Sequence, residues 1–228
     1  GSTVMLEGNC MSVTSRGNPA TMGEEVTAIP LGGGEPAGMD TEGFNESVEE
    51  VPVSWSYLVP VSVRKYMPVM VGPLSRVNIG FGPDTPWARL ELKRVREQWG
   101  KIDREELYMM ALVLELIWSW EKARLLLRDP ALAKGEPCTR PALAEGRGAA
   151  AVESPRGTVL HSAGLDSEGR IAEYRVVSPL QFNFLELNRR LSDVAQRVVG
   201  GLEIDEGVAQ RLQFSVRAFS PCVSCGTH

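Results

Sequence analysis

Asp103-Arg104-Glu105-Glu106-Leu107-Tyr108-Met109-Met110-Ala111-Leu112-Val113-Leu114-Glu115-Leu116-Ile117-Trp118-Ser119-Trp120-Glu121-Lys122-Ala123-Arg124-Leu125-Leu126-Leu127-Arg128-Asp129-Pro130 carries the most regular pattern in the chain. Leu107, Met110, Ala111, Leu114, Ile117 and Trp118 recur at the 3.6-residue period of a helix with one apolar face. Asp103 and Glu106 have the spacing of a reciprocal N-terminal cap. Asp129-Pro130 ends the run, because the residue before a proline is pushed out of the helical region. One long helix is therefore expected over about 104–128, with Trp118 and Trp120 packed in a core or interface. Glu115, Glu121, Lys122 and Arg124 interrupt the stretch, so it is not expected to span a bilayer.

Outward from this helix, residues 86–98 predict a partner helix from Trp87 to Gln98. On the C-terminal side, residues 131–150 are rich in Gly and Pro and read as loop. Thr158–His161 and Arg170–Val177 read as strands around the turn Asp166-Ser167-Glu168-Gly169, placing a β-hairpin at about 156–178. A last helix is expected from Leu185 to Val199. Towards the N-terminus, residues 44–85 hold Pro52, Pro60, Pro68 and Pro73, which exclude a long helix and predict an extended segment lying on other structure. Residues 1–43 predict a small β and loop region with strands near Thr3–Leu6 and Glu25–Ile29. Gly32-Gly33-Gly34 reads as a flexible turn, since no Gly-Lys-Ser/Thr follows it to cradle a phosphate. The expected fold class is α+β and mainly helical: a long-helix bundle with small β-hairpins, residues 86–228 forming its helical domain.

The chain has 228 residues, 43% hydrophobic and 23% charged, with a formal net charge of −5, which fits a globular protein and excludes the basic surface of a general nucleic-acid binder. It opens Gly1-Ser2 without methionine, as a cloning remnant would, and shows no export signal, so a cytoplasmic location is expected. Of the four cysteines, Cys10 and Cys138 stand alone and read as small buried hydrophobes. Cys222-Val223-Ser224-Cys225 pairs two thiols three positions apart, a spacing that lets both sulfurs face one metal. On its own the pair also admits a zinc half-site or, less readily at this place in the chain, a dithiol redox pair.

The surroundings of the pair are more specific. Arg217-Ala218-Phe219-Ser220-Pro221-Cys222-Val223-Ser224-Cys225-Gly226-Thr227-His228 is similar to the Asp-Pro-Cys-x-x-Cys-x-x-His signature of nickel–iron hydrogenase large subunits. Glu153-Ser154-Pro155-Arg156-Gly157-Thr158-Val159-Leu160-His161 resembles that family's Glu-Ala-Pro-Arg-Gly-x-Leu-x-His element. Val71-Gly72-Pro73-Leu74-Ser75-Arg76-Val77-Asn78 resembles its Val-Gly-Pro-Leu-Ala-Arg segment. Ser54-Trp55-Ser56-Tyr57-Leu58 and the spacing of Pro179, Asn183 and Asn188 also fit. The matches keep the family's order over about residues 44–228, its C-terminal half, and look most like the cytoplasmic multimeric branch linked to NAD, coenzyme F420 or viologens.

The resemblance implies a role for each matching residue. Cys222 would be a terminal nickel ligand and proton acceptor, and Cys225 would bridge nickel and iron. His228 would bind a separate magnesium or iron ion. Arg156 would lie over the open coordination position, near the iron's cyanide ligands, and Pro155 and Pro179 would border the same group. No organic cofactor is implied on this chain. The structural alternative for Arg156 is an ion pair with Glu153, and His161 is expected to be a packing and hydrogen-bonding residue. The implied activity is reversible H2 oxidation, with electrons passed to an iron–sulfur small subunit.

Departures from the pattern bear on this. The family's second Cys-x-x-Cys pair is absent, so another chain or segment would have to supply it. Leu180 stands where the family places a Thr or Ser that donates to a cyanide, and Ser220 replaces its aspartate. These departures favour an alternative: a non-catalytic homologue acting as an assembly scaffold, holding iron alone, or as a structural subunit. A zinc-binding interaction module is a third reading, which explains none of the upstream matches. The apolar residues Trp55, Tyr57, Leu58 and Val71, together with the breadth of the 104–128 helix, lead to the expectation of an external surface that covers them.

Overall fold

The computed structural model describes residues 8–15, 18–80, 82–135, 144–198 and 205–226. The order is β1 (Asn9–Ser15), β2 (Asn18–Pro19), β3 (Glu25–Pro30), β4 (Ala37–Asp40), α1 (Thr41–Ser47), β5 (Val48–Glu50), β6 (Val61–Val63), β7 (Val69–Val71), α2 (Pro73–Ile79), α3 (Pro86–Trp99), α4 (Tyr108–Leu126), β8 (Gly146–Ser154), β9 (Gly157–Leu165), β10 (Ile171–Val177), α5 (Pro179–Val198) and α6 (Glu206–Ala218). It is a mixed α+β fold in which helices hold the larger share.

β1 organises the N-terminal sheet. It pairs antiparallel with β3, from Asn9 opposite Pro30 to Thr14 opposite Glu25, and parallel with β7, from Asn9 opposite Val69 to Met11 opposite Val71. Because side chains alternate along a strand, β1 serves two cores. Cys10 joins a helical core with Leu74, Leu92, Leu107, Ala111 and Leu187, while Met11 and Val13 join a second core with Val26, Phe44, Val63, Leu160 and Phe182. α5 connects the two, sending Leu180 and Leu187 into the first and Phe182 into the second. A three-stranded sheet, β10-β9-β8, packs beside them.

Several expectations are corrected. Asp103 and Glu106 do not cap the long helix: a short 3-10 turn, Glu105–Leu107, precedes it, and α4 begins without a side-chain cap. Glu105 turns inward instead, where its carboxylate accepts from Ser215 Oγ and Arg190 Nη2. The buried face that Leu107 begins and α4 continues holds Ala111 and Leu114, with Trp118 packed against the same core as expected, but Met110 is exposed and Tyr108 and Glu121 are covered instead. Glu121 is drawn in because its two oxygens accept from the first amides of α3, Trp87 N at 3.1 Å and Ala88 N at 3.0 Å. α3 and β3 lie close to where they were expected, whereas α5 starts at Pro179, six residues early, and α6 was not foreseen.

The expected hairpin is part of a three-stranded sheet, since β8 occupies residues that read as loop. Leu58 and Val71 are buried by the chain itself and need no outside surface, whereas Trp55 and Tyr57 remain exposed. The Thr3–Leu6 strand and Cys138 lie outside the described residues. Among those described, no helix is long and apolar enough to cross a membrane.

Candidate metal centre

A cleft of about 340 Å³ opens where three segments meet: the β8–β9 turn, the start of α5 and the stretch after α6. The turn brings Pro155 and Arg156, α5 brings Pro179 and Leu180, and the final stretch brings Cys222 and Cys225. Residues separated by some seventy positions thus line one space. His228 lies outside the described residues.

The cysteines sit at a short 3-10 turn, closed by a hydrogen bond from Cys225 N to the Cys222 carbonyl at 3.0 Å, and their sulfurs are bonded to each other. Arg156 reaches across the cleft, its Nε donating to the Ser220 carbonyl at 3.1 Å. It does not pair with Glu153. That carboxylate is taken by Arg76, and it also accepts from Val13 N at 2.9 Å and Thr158 Oγ1 at 2.6 Å.

Arg76 lies beneath the turn. It clamps Glu115 through Nε and Nη2 at 2.5 and 2.6 Å, and its Nη1 donates to Glu153 and to the Ser154 carbonyl. Burial opposes its charge, but the two carboxylates outweigh burial and hold the guanidinium protonated beyond its ordinary range. Burial also raises the Glu115 carboxyl, with Arg76 pulling the other way. Arg76 of α2 therefore anchors β8, and Thr158 ties β9 to the same Glu153 carboxylate.

The turn rests directly on the start of α2. Gly157 and Gly72 adopt φ values of +136° and +113°. A Cβ on Gly157 would lie 2.6 Å from Val71 Cγ2 and 2.9 Å from Gly72 N, and one on Gly72 would lie 2.8 Å from the Arg156 carbonyl oxygen. Gly157→Ala should therefore lower stability by about 1–3 kcal/mol from backbone strain alone. Urea denaturation checks this; an unchanged midpoint would show that the turn moves freely.

Other residues brace the cleft from behind. Asn183 bonds both backbone groups of Val71, fixing α5 to β7, and Tyr108 donates to the Phe219 carbonyl at 3.4 Å, its phenol pushed up to about 12 by burial. Asn188 is exposed and away from the cleft. His161 bonds Tyr174 at 2.8 Å outside it, in keeping with a hydrogen-bonding role. Cys10 is fully buried elsewhere, its thiol raised to about 11 by desolvation. Ser178, which the sequence reading passed over, also lines the cleft; the spacing Ser178-x-x-Gln181 ahead of an apolar helix was the signal that could have found it.

Among the described residues no three His, Cys, Asp or Glu side chains converge to hold a metal. Once reduced, the cleft offers two soft sulfur donors beside one guanidinium. That donor set fits one side of a binuclear soft-metal centre and not the whole of it.

Solved structures match this fold. An NAD+-reducing [NiFe]-hydrogenase in its H2-reduced state superposes with a TM-score of 0.87, at 22% identity, over 99% of this chain and 51% of that one. A [NiFeSe]-hydrogenase of Dm. baculatum gives 0.59 at 16% identity, over 98% and 52%. The fold is that of part of a nickel–iron hydrogenase large subunit. Sequence relatives agree: the NAD-reducing hydrogenase HoxS subunit beta of Cupriavidus necator is 35% identical over 194 residues, covering 81% of this chain and 39% of that protein. Sulfhydrogenase 2 subunit alpha of Pyrococcus furiosus is 30% identical over 186 residues, covering 79% and 43%. The chain belongs to the nickel–iron hydrogenase large-subunit family and spans about two fifths of the length of these curated relatives. No protein-family model matches it.

Proposed function

We propose that this chain supplies one side of the binuclear centre of a nickel–iron hydrogenase, as part of a larger complex acting in the cytoplasm. The observation that carries the reading is the meeting of Cys222, Cys225 and Arg156 at one cleft. Cys222 and Cys225 would hold nickel and iron from this side, and His228 would take a magnesium or iron ion. When bound, the metal pair supplies the reversible splitting of H2 into protons and electrons. The chain's own contribution is local. The Cys222 sulfur accepts a proton, Arg156 offers hydrogen bonds to anionic ligands without ever losing its charge, and Pro155, Pro179, Val159 and Phe219 limit access of water. The remaining thiolates would come from a chain or segment carrying a second Cys-x-x-Cys pair, and an iron–sulfur small subunit would take the electrons.

A second reading is kept because, among the described residues, the cleft holds only two sulfurs and because Leu180, buried in the core, offers no donor. On it the chain is a non-catalytic scaffold or structural subunit that holds iron alone or no metal. Metal analysis of the native complex, with infrared spectroscopy in the CO and cyanide region, separates the two. Nickel together with the bands is the expected result. Iron with the bands and no nickel supports the scaffold, and neither metal overturns both metal readings. Either cysteine changed to serine should reduce retained metal to background.

A further inference from the structure

Glu105 and Arg190 form a buried ion pair that the cleft chemistry does not use. Their side chains are 8% and 1% exposed, and Arg190 Nη2 donates to Glu105 Oε2 at 3.2 Å. Ser215, fully buried on α6, donates its hydroxyl to the two oxygens of the same carboxylate at 3.2 and 3.1 Å. One carboxylate thus joins the entry to α4, the middle of α5 and the C-terminal half of α6. Three residues on, Tyr108 holds the same helix a second time. Its ring stacks on Phe219 with centroids 6.2 Å apart, and its hydroxyl donates to the Phe219 carbonyl. Ser215 and Phe219 are four positions apart, so both holds fall on one side of α6.

Such a cluster is a poor device for stability alone. Taking both charges out of water costs about as much as their attraction returns, and apolar side chains of similar volume often serve as well. A polar contact does what apolar ones cannot, because it is lost if either helix slides. Leu191, Ala195, Leu212 and Val216 give α5 and α6 an apolar groove that does little by itself to fix their register. A slip of one turn would move α6 by about 5.4 Å. The cysteine turn would move with it, since only Ser220, at φ +44°, and Pro221, with its ring-fixed φ, stand between Phe219 and Cys222. We infer that Glu105 is a positioning residue: through Ser215 and Arg190 it pins the register of α6 and so sets where Cys222 and Cys225 stand in the cleft. The pinning stands on the chain's own packing, and its consequence for bound metal rests on the hydrogenase reading.

The test replaces the whole cluster, Glu105→Leu with Arg190→Met and Ser215→Ala, so that no lone charge is left buried to unfold the chain. In the full chain, urea unfolding should stay cooperative with a midpoint near that of wild type. Amide hydrogen exchange in α6 should quicken about tenfold or more while α2 keeps its protection, the mark of local opening. Cadmium, titrated into the reduced chain, should bind Cys222 and Cys225 as before, because the 3-10 turn sets the sulfur spacing locally. In the native complex, retained metal should fall about tenfold or more, or the CO and cyanide bands should split, as misplaced ligands require. The inference is overturned if α6 protection matches wild type, or if protection falls everywhere together with the midpoint, which would make the cluster a stability element. It is also overturned if cadmium affinity falls, which would mean that the cysteine turn itself has come apart, or if a metal-bearing complex keeps its metal and bands unchanged. Selective loosening of α6 in a protein whose wild-type complex never holds metal would leave the pinning standing while the hydrogenase reading fails.

Discussion

Replacing Arg76 with methionine should destabilise the chain by about 3–5 kcal/mol, since removing one partner leaves buried charge uncompensated. The Arg76 side chain is 9% exposed and those of its partners Glu115 and Glu153 are 14% and 5%. Two carboxylates would then face each other with no cation between them. The deficit should depend on pH. Glu115 already has a carboxyl raised by burial, and Arg76 is what restrains the rise. A carboxyl with a higher pKa folded than unfolded favours folding while it is protonated and loses that contribution as pH rises through the folded value. Urea denaturation of Arg76→Met should therefore show a large loss near neutrality that shrinks towards about pH 5, as protons reach the pair. Arg76→Lys should fall between, because an ammonium keeps the charge but not the fork. Equal stability of the methionine variant at neutral pH would mean that the cluster is solvated.

The second large effect concerns the outer face of α4. Met109, Val113, Leu116 and Trp120 lie at helical spacing, the last two 68% and 63% exposed. An apolar stripe of this kind on an isolated domain promotes association. Produced alone, the chain should run as a broad, large species in size-exclusion chromatography and bind a hydrophobic dye. Leu116→Lys with Trp120→Lys should shift it to monomer and lower dye binding, leaving the unfolding midpoint nearly unchanged because neither side chain is in the core. A monodisperse wild-type monomer that binds no dye would remove this face as an interface and with it the argument that partner polypeptide covers it.

What the sequence made legible follows from the kind of signal each part carries. α3 and α4 announce themselves by periodicity over several turns. The edges of the α4 buried face do not, because Leu112, Val113, Leu116 and Ile117 spread apolar side chains around the helix, and what draws its C-terminal part inward is a polar contact, Glu121 on the α3 amides. β8 escaped notice because Gly146-Arg147-Gly148-Ala149-Ala150-Ala151 has no β-branched residue before Val152; it is a strand because β9 pairs with it. At the cleft, Arg156 and Cys222 have no local relation, so only the order of motifs along the chain suggested their proximity. That Glu153 faces Arg76 and not its near neighbour Arg156 depends on where α2 lies, which neither residue's sequence context reveals.

The two ends of the C-terminal sheet are built differently. The β9–β10 turn at Asp166 is closed by its own backbone and stands largely in solvent. The β8–β9 turn is pressed through Arg156 and Gly157 against Val71 and Gly72, with Glu153 and Thr158 joined beneath it. In evolutionary terms the sheet has one open end and one closed end. Insertions and deletions can accumulate at 166–169 with little consequence, while a single added residue between 154 and 157 would displace Arg156 and unseat both strands from α2. Divergence in this part of the fold is thereby channelled away from the cleft, and length differences among its relatives should collect at the far tip.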